Sequence, residues 1–191
     1  MSTEHSKTAE DSGKIATDSA EVVRSAKPSD LAAVLNLLAA ARLPVQGVQE
    51  GFGEAYAVVE HNGAIAGAAG IEIHGCLGLL RSVVVDPASR GAGFAKLLTR
   101  DRLAWAESRS LEAVYLLTTS AADYFSRFGF GIIDRKSVPS QIQNSAEFRF
   151  VCPASATVMY LPLEGDGRWA EVCRKCLGKT GFIADSDQAL G

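Results

Sequence analysis

The sequence predicts a mixed α/β domain, and three observations carry the prediction. Short β-branched runs alternate with stretches whose apolar residues recur at helical spacing. The stretch Leu79 to Ala106 (LLRSVVVDPASRGAGFAKLLTRDRLAWA) reads as buried strand, proline-marked turn, glycine-rich loop and amphipathic helix. His61-Asn62-Gly63 separates two strand-like segments with a hairpin signal, because Asn-Gly suits the positive φ values of a type I′ turn. The resulting order, β-α-β-β-β-α-β-α-β-β, packs as an α/β sandwich.

Each element has its own reason. Residues 1–20 hold almost no large apolar side chain and predict a disordered tail, since such a segment cannot offset its ordering entropy. Residues 21–163 then form the domain, and 164–191 a polar extension with one helix at most. Glu21-Val22-Val23-Arg24 is the first strand. Ser29 or Asp30 caps a helix carrying Leu31, Val34, Leu35, Leu38 and Leu43, which reaches about Arg42 before Pro44 stops it. Residues 45–53 are too glycine-rich for more than a short turn.

Glu54 to Glu60 and Ala64 to His74 are the hairpin strands, and Cys76 to Val85 follows after Gly75. Little alternation in Leu79, Leu80, Val83, Val84 and Val85 predicts a strand covered on both faces. Asp86-Pro87 ends it, because proline has no N–H for the ladder. The next helix has the stripe Phe94, Leu97, Leu98, Ala104 and Trp105. Ala113 to Leu117 is another buried strand, Ser120 caps a helix over Ala121 to Phe128, and Gly129 closes it. Phe130 to Ile133 and Ala156 to Leu161 supply the last strands.

Composition excludes several classes. A chain of 191 residues with 47% hydrophobic and 21% charged residues suits one globular domain. A net charge of −3 argues against a nucleic-acid surface. No apolar run approaches the ~20 residues that span a bilayer, and the N-terminal MSTEHSKTAEDSGKIATDSAE lacks the apolar core of a secretory signal. Four cysteines are too few for a disulfide scaffold, so a reduced, cytoplasmic setting is expected. Cys173 and Cys176 make a C-x-x-C pair without a second pair or a histidine at ligand spacing, and no metal site is expected.

The glycine loop points to phosphate. The first N–H groups of a helix have no internal partner and carry partial positive charge, and glycine lets an anion come close. Neither G-x-G-x-x-G nor G-x-x-x-x-G-K-[ST] is present after Val85-Asp86-Pro87. Arg90-Gly91-Ala92-Gly93-Phe94-Ala95 instead resembles the R/Q-x-x-G-x-G/A motif of the GNAT superfamily of acetyl-CoA-dependent N-acetyltransferases. The opening strand and helix, and Phe128-Gly129-Phe130 at the end of a late helix, resemble the same superfamily over about residues 21–163.

The resemblance implies a mostly antiparallel sheet, splayed beside the cofactor strand and flanked by helices. It implies that Val83, Val84 and Val85 hydrogen-bond pantetheine, that Arg90, Gly91, Ala92, Gly93, Phe94, Ala95 and Lys96 hold the pyrophosphate, and that Thr118 takes the place of an Asn that contacts CoA. Within the superfamily, Leu116-Leu117-Thr118-Thr119 with Ala122 to Phe130 is similar to the acetyltransferase domain of N-acetylglutamate synthases. Leu80 to Val83, the same Leu116 to Thr119 run, Ser145 to Arg149 and Cys152 to Ala156 resemble the ArsN-type N-acetyltransferases of arsenic resistance. Such domains often pair through sheet edges, which makes a homodimer one expected state.

The implied reaction is direct attack of a neutral amine on the acetyl thioester, with a strand N–H stabilising the oxyanion. Glu72, flanked by Ile71 and Ile73, is the candidate base, against the plainer reading of a solvent-facing edge Glu. Where many of these enzymes carry a Tyr that protonates the thiolate, this chain has Phe125. Tyr124 is the neighbouring acid candidate, turned away by about 100°, so water is the favoured proton source. Arg81 inside an apolar strand needs a partner: the acceptor's carboxylate, or an internal Glu72 or Glu147. Arg149 is a second substrate-binding candidate. The expected acceptor is a small amino-acid-like amine. A protein or peptide acceptor, requiring the Gly47–Gly53 loop to lie back, and a catalytically silent acetyl-CoA sensor are the alternatives.

Overall fold

The computed structural model describes residues 22–163. The expectations for residues 1–20 and 164–191, including the Cys173–Cys176 pair, lie outside the described residues. Seven strands form one sheet in the order β1-β2-β3-β4-β5-β7-β6. They are β1 (Val22–Ser25), β2 (Tyr56–His61), β3 (Ala64–His74), β4 (Leu77–Val85), β5 (Ala113–Thr118), β6 (Gly131–Ile132) and β7 (Thr157–Pro162). Every neighbouring pair is antiparallel except β4 and β5. The helices are α1 (Leu31–Ala40), α2 (Phe94–Ser108), α3 (Ala122–Ser126) and α4 (Ser140–Gln143).

Period-two alternation sorts the strands into two cores. Tyr56 and Val58 of β2 meet Val34 and Leu38 of α1 on one face, while Ala57 and Val59 meet Phe94 and Leu98 of α2 on the other. Farther along the sheet, Ile142 of α4 covers Leu79, Tyr115 and Val158, and Phe125 of α3 joins Leu80, Leu116 and Met159 opposite. Thus α1 and α4 cover one face and α2 and α3 the other. Asn62 at φ 52 and Gly63 at φ 74 make the hairpin turn that their identities predict.

Four local expectations are corrected. The first helix stops at Ala40, because Leu43 N–H reaches Leu38 C=O at 2.9 Å and Arg42 N–H reaches Ala39 C=O at 3.0 Å. That pattern is a Schellman close with Arg42, at φ 56, where glycine is usual. Ser120 caps no helix: α3 begins one residue later, and Thr118 Oγ1 accepts the Ala121 N–H at 2.9 Å. Leu97 and Ala104 of α2 face solvent, and the polar Thr99 and Arg102 are buried instead. Arg102 is buried because its Nη1 donates to Glu54 C=O at 2.7 Å and its guanidinium lies over Trp105. Finally, α4 and a π-helical turn over Glu147–Val151 occupy a stretch with no predicted element.

Candidate active site

The site starts with a break in the sheet. Strands β4 and β5 run parallel and pair over three positions, Leu77↔Ala113, Gly78↔Val114 and Leu79↔Tyr115. Beyond them each strand keeps its outer partner and loses its inner one. β4 stays with β3 as far as Val85↔Gly67, and β5 stays with β7 as far as Thr118↔Thr157. A register shift between Ala68 and Gly70 and a left-handed Ser82 (φ 58) bend β4 at this point. Between the separated strands lies a cleft of about 510 Å³, walled by Leu80 to Val83 on one side and Leu116 to Thr119 on the other.

At the mouth of the cleft, Gly91 and Gly93 adopt φ values of 88 and 85, a conformation that a β-carbon strains. Neither would bring a β-carbon within 4 Å of another atom, so the loop is open on its outer side. No side chain caps α2 behind Gly93, and the first intrahelical donor is Leu97 N–H to Gly93 C=O at 3.1 Å. The amides of Phe94, Ala95 and Lys96 are therefore the free donors of that helix end. Phe94 anchors the turn as a core side chain, and Ala95 borders the cleft. Arg90 and Lys96 have solvent-exposed side chains beside these amides.

The predicted site residues separate into two groups. Val83, Ala95, Thr118, Tyr124 and Arg81 all border the cleft. Val84 is instead a core residue against α1, and Val85 packs beside Phe94. Arg149 is exposed, stacked on Phe150, and does not border the cleft. Although its rotation takes it off the Phe125 face, Tyr124 also borders the cleft, with its hydroxyl 3.3 Å from Thr99 Oγ1. Burial pushes the Tyr124 phenol up, partly countered by that hydroxyl.

Arg81 has its side chain only 1% exposed and is already partnered. Its Nη1 donates to Glu72 Oε1, and Nη2 donates to Gln46 C=O at 2.5 Å. Glu147 Oε2 lies 3.1 Å from Nη2. Both internal partners considered from sequence are thus present together. Glu72 also meets His74 Nε2 at 3.3 Å. Burial pushes the Glu72 carboxyl up, but the His74 contact and the Arg81 charge outweigh it and hold it below the usual range.

Two cleft residues had no binding or catalytic role in the sequence reading, where Glu147 entered only as a partner for Arg81. Glu147, in the π-helical turn, faces the cleft next to Cys152, and burial pushes its carboxyl up against the pull of Arg81. Burial and the neighbouring Glu147 also drive the Cys152 thiol to about 11. Arg42 borders the same cleft from the end of α1, and among the described residues no hydrogen bond or ion pair holds its guanidinium. Its signal in the sequence was weak: an Arg directly before Leu43-Pro44, at a helix end that favours glycine.

Comparison with known proteins agrees with this geometry. The family model described as an acetyltransferase (GNAT) domain matches residues 52–132, from the loop before β2 through β6. No curated protein sequence matches the chain. One similar structure is N-acetylglutamate synthase from Neisseria gonorrhoeae complexed with coenzyme A and L-arginine. Its TM-score is 0.62 at 15% identity, covering 75% of this chain and 33% of that one, so this chain spans about a third of its length. A Mycobacterium tuberculosis protein in complex with CoA and NLQ gives 0.64 at 26% identity, over 74% and 99% of the two chains. The ribosomal-protein-S18-alanine N-acetyltransferase from Escherichia coli gives 0.58 at 20% identity, over 76% and 97%. The chain has the GNAT acyl-CoA N-acyltransferase fold, and its residues 52–132 match the acetyltransferase (GNAT) domain model.

Proposed function

We propose that the protein transfers an acetyl group from acetyl-CoA to the amino group of a small amino-acid-like acceptor, both substrates being bound at once. The observation that carries this reading is the opened β4–β5 pair with an uncapped helix end and two left-handed glycines at its mouth. Free amides from Gly91 to Lys96 suit a pyrophosphate. The unpaired edge of β4 at Ser82 and Val83 suits a pantetheine chain, which would pair there as an added strand. Strand amides near the thioester would stabilise the oxyanion that forms on attack.

The acceptor's class follows from charge. Arg81, the cation expected for its carboxylate, is already matched by Glu72 and Glu147. Among the described residues Arg42 is the cleft guanidinium left without a partner, and it takes that role in this reading. The Gln46–Gly47 segment lies directly on Arg81, with Gly47 so placed that a β-carbon would sit 3.0 Å from Nη1. A loop held down in this way favours a small acceptor over a peptide that needs an open groove. Leu116–Thr119 and Cys152–Pro153, which carry much of the resemblance to ArsN-type enzymes, both border the cleft, and they support an arsenic-resistance setting as the finer form of the proposal.

Calorimetric titration with acetyl-CoA, followed by thiol-release assays over the common amino acids and simple amines, tests the proposal. Binding at 1:1 and turnover on an α-amino acid are expected. Binding without turnover on any amine would leave a sensor, and no binding would end the assignment.

A further inference from the structure

We infer that Glu147 receives the acceptor's ammonium group in the cleft and takes its proton, which leaves Glu72 as the group that positions Arg81. The inference rests on the acyl-transfer reading above, and it starts from an imbalance. One buried guanidinium, Arg81, faces two carboxylates, and the His74 imidazole meets Glu72 rather than Glu147, so Glu147 has no cation but the shared Arg81. Arg81 spends Nη1 on Glu72 and Nη2 on the Gln46 carbonyl. Glu147 Oε2 is ion-paired with Nη2 at 3.1 Å but without an aligned hydrogen bond, and it is a buried acceptor with no hydrogen-bond donor among the described residues. The other oxygen, Oε1, takes the Cys152 thiol at 3.6 Å. Native interiors rarely leave such an oxygen empty, and a ligand donor is the ordinary explanation at the wall of a cleft.

Position separates the two carboxylates. Glu147 borders the cleft, whereas Glu72 lies behind Arg81 and outside the cleft lining. Basicity separates them in the same sense, because Glu147 is pushed up and Glu72 held down. The groups facing Glu147 are Arg81 from β4, Glu72 from β3, Tyr56 from β2 and Cys152 after the π-helical turn. Its setting in a π-helical turn fits a residue displaced from regular geometry for a task.

The step balances. Glu147 takes one proton from the ammonium, and the neutral nitrogen forms its bond to the acetyl carbon. The adduct loses its second N–H proton to water as the C–S bond breaks, and the departing thiolate takes a proton back from water. The amide and the thiol are released, and Glu147 returns its proton to solvent.

The test uses the full chain labelled with ¹⁵N, with n-propylammonium as probe and propan-1-ol as its neutral counterpart. The cation, and not the alcohol, is expected to shift amides around residues 147–152. Its affinity should fall at least tenfold in Glu147→Gln and return largely in Glu147→Asp, which also serves if the first variant folds poorly. With an amino acid that turns over, Glu147→Gln should lower kcat about 10²–10³-fold. It should also abolish the acid limb of the kcat/KM profile and leave acetyl-CoA affinity within about twofold. Equal binding of the cation by wild type and Glu147→Gln, or an acid limb that survives the substitution, overturns the inference. Failure of the wild type to bind acetyl-CoA overturns the acyl-transfer reading instead.

Discussion

Arg42 is a residue in the wrong conformation for its type. It closes α1 at φ 56, where glycine rests without strain, and it borders the cleft with no partner for its guanidinium among the described residues. A side chain kept at such a cost usually answers to function. Arg42→Gly is therefore expected to raise stability by up to ~1 kcal/mol, read by urea denaturation. The same change should raise the acceptor KM at least tenfold, one lost charge-assisted contact being worth about 1.5–3 kcal/mol, with acetyl-CoA binding unaltered. At this scale the sequence was partly legible. A lone Arg81 in an apolar strand announced a buried ion pair, and its two carboxylates were among the partners considered. Which oxygen stayed free was not legible, because Glu147 arrives from 66 positions down the chain through a turn with no periodic signal.

Among the elements, the glycine loop was the clearest in advance, since its chemistry is local: proline stop, two glycines, helix start. Gly93→Ala tests it. The new β-carbon meets open space, so the cost is backbone strain at φ 85, roughly 1–2 kcal/mol. We expect acetyl-CoA affinity to drop about tenfold as the loop relaxes toward negative φ, measured by calorimetry. A variant that binds as the wild type does would remove the loop from the pyrophosphate site. The helix that follows was less legible. Its buried Thr99 and Arg102 answer to Tyr124 and to the Glu54 carbonyl, partners 25 and 48 residues away that no 3.6-residue pattern contains. The short α4 and the turn after it were invisible for the same reason. They are held by packing, as Ile142 shows against the sheet, and carry too few residues for a period to emerge.

For the molecule as a whole, the sandwich was legible because each face of the sheet repeats its apolar period strand after strand. The width of the cleft was not, since it depends on where two distant strands stop pairing. That stopping point has a mechanical consequence. Among the described residues, three register pairs and the adjoining Glu112 N–H to Cys76 C=O bond join the β1–β4 half of the sheet to the β5–β7 half, so the seam is where the fold is expected to breathe first. A ligand lying in the gap would act as a clasp across it. Acetyl-CoA at a hundredfold over its Kd should add about 2.7 kcal/mol to unfolding stability. Amide exchange should slow in Leu80–Val85 and Leu116–Thr118 together, the two banks of one seam closing at once.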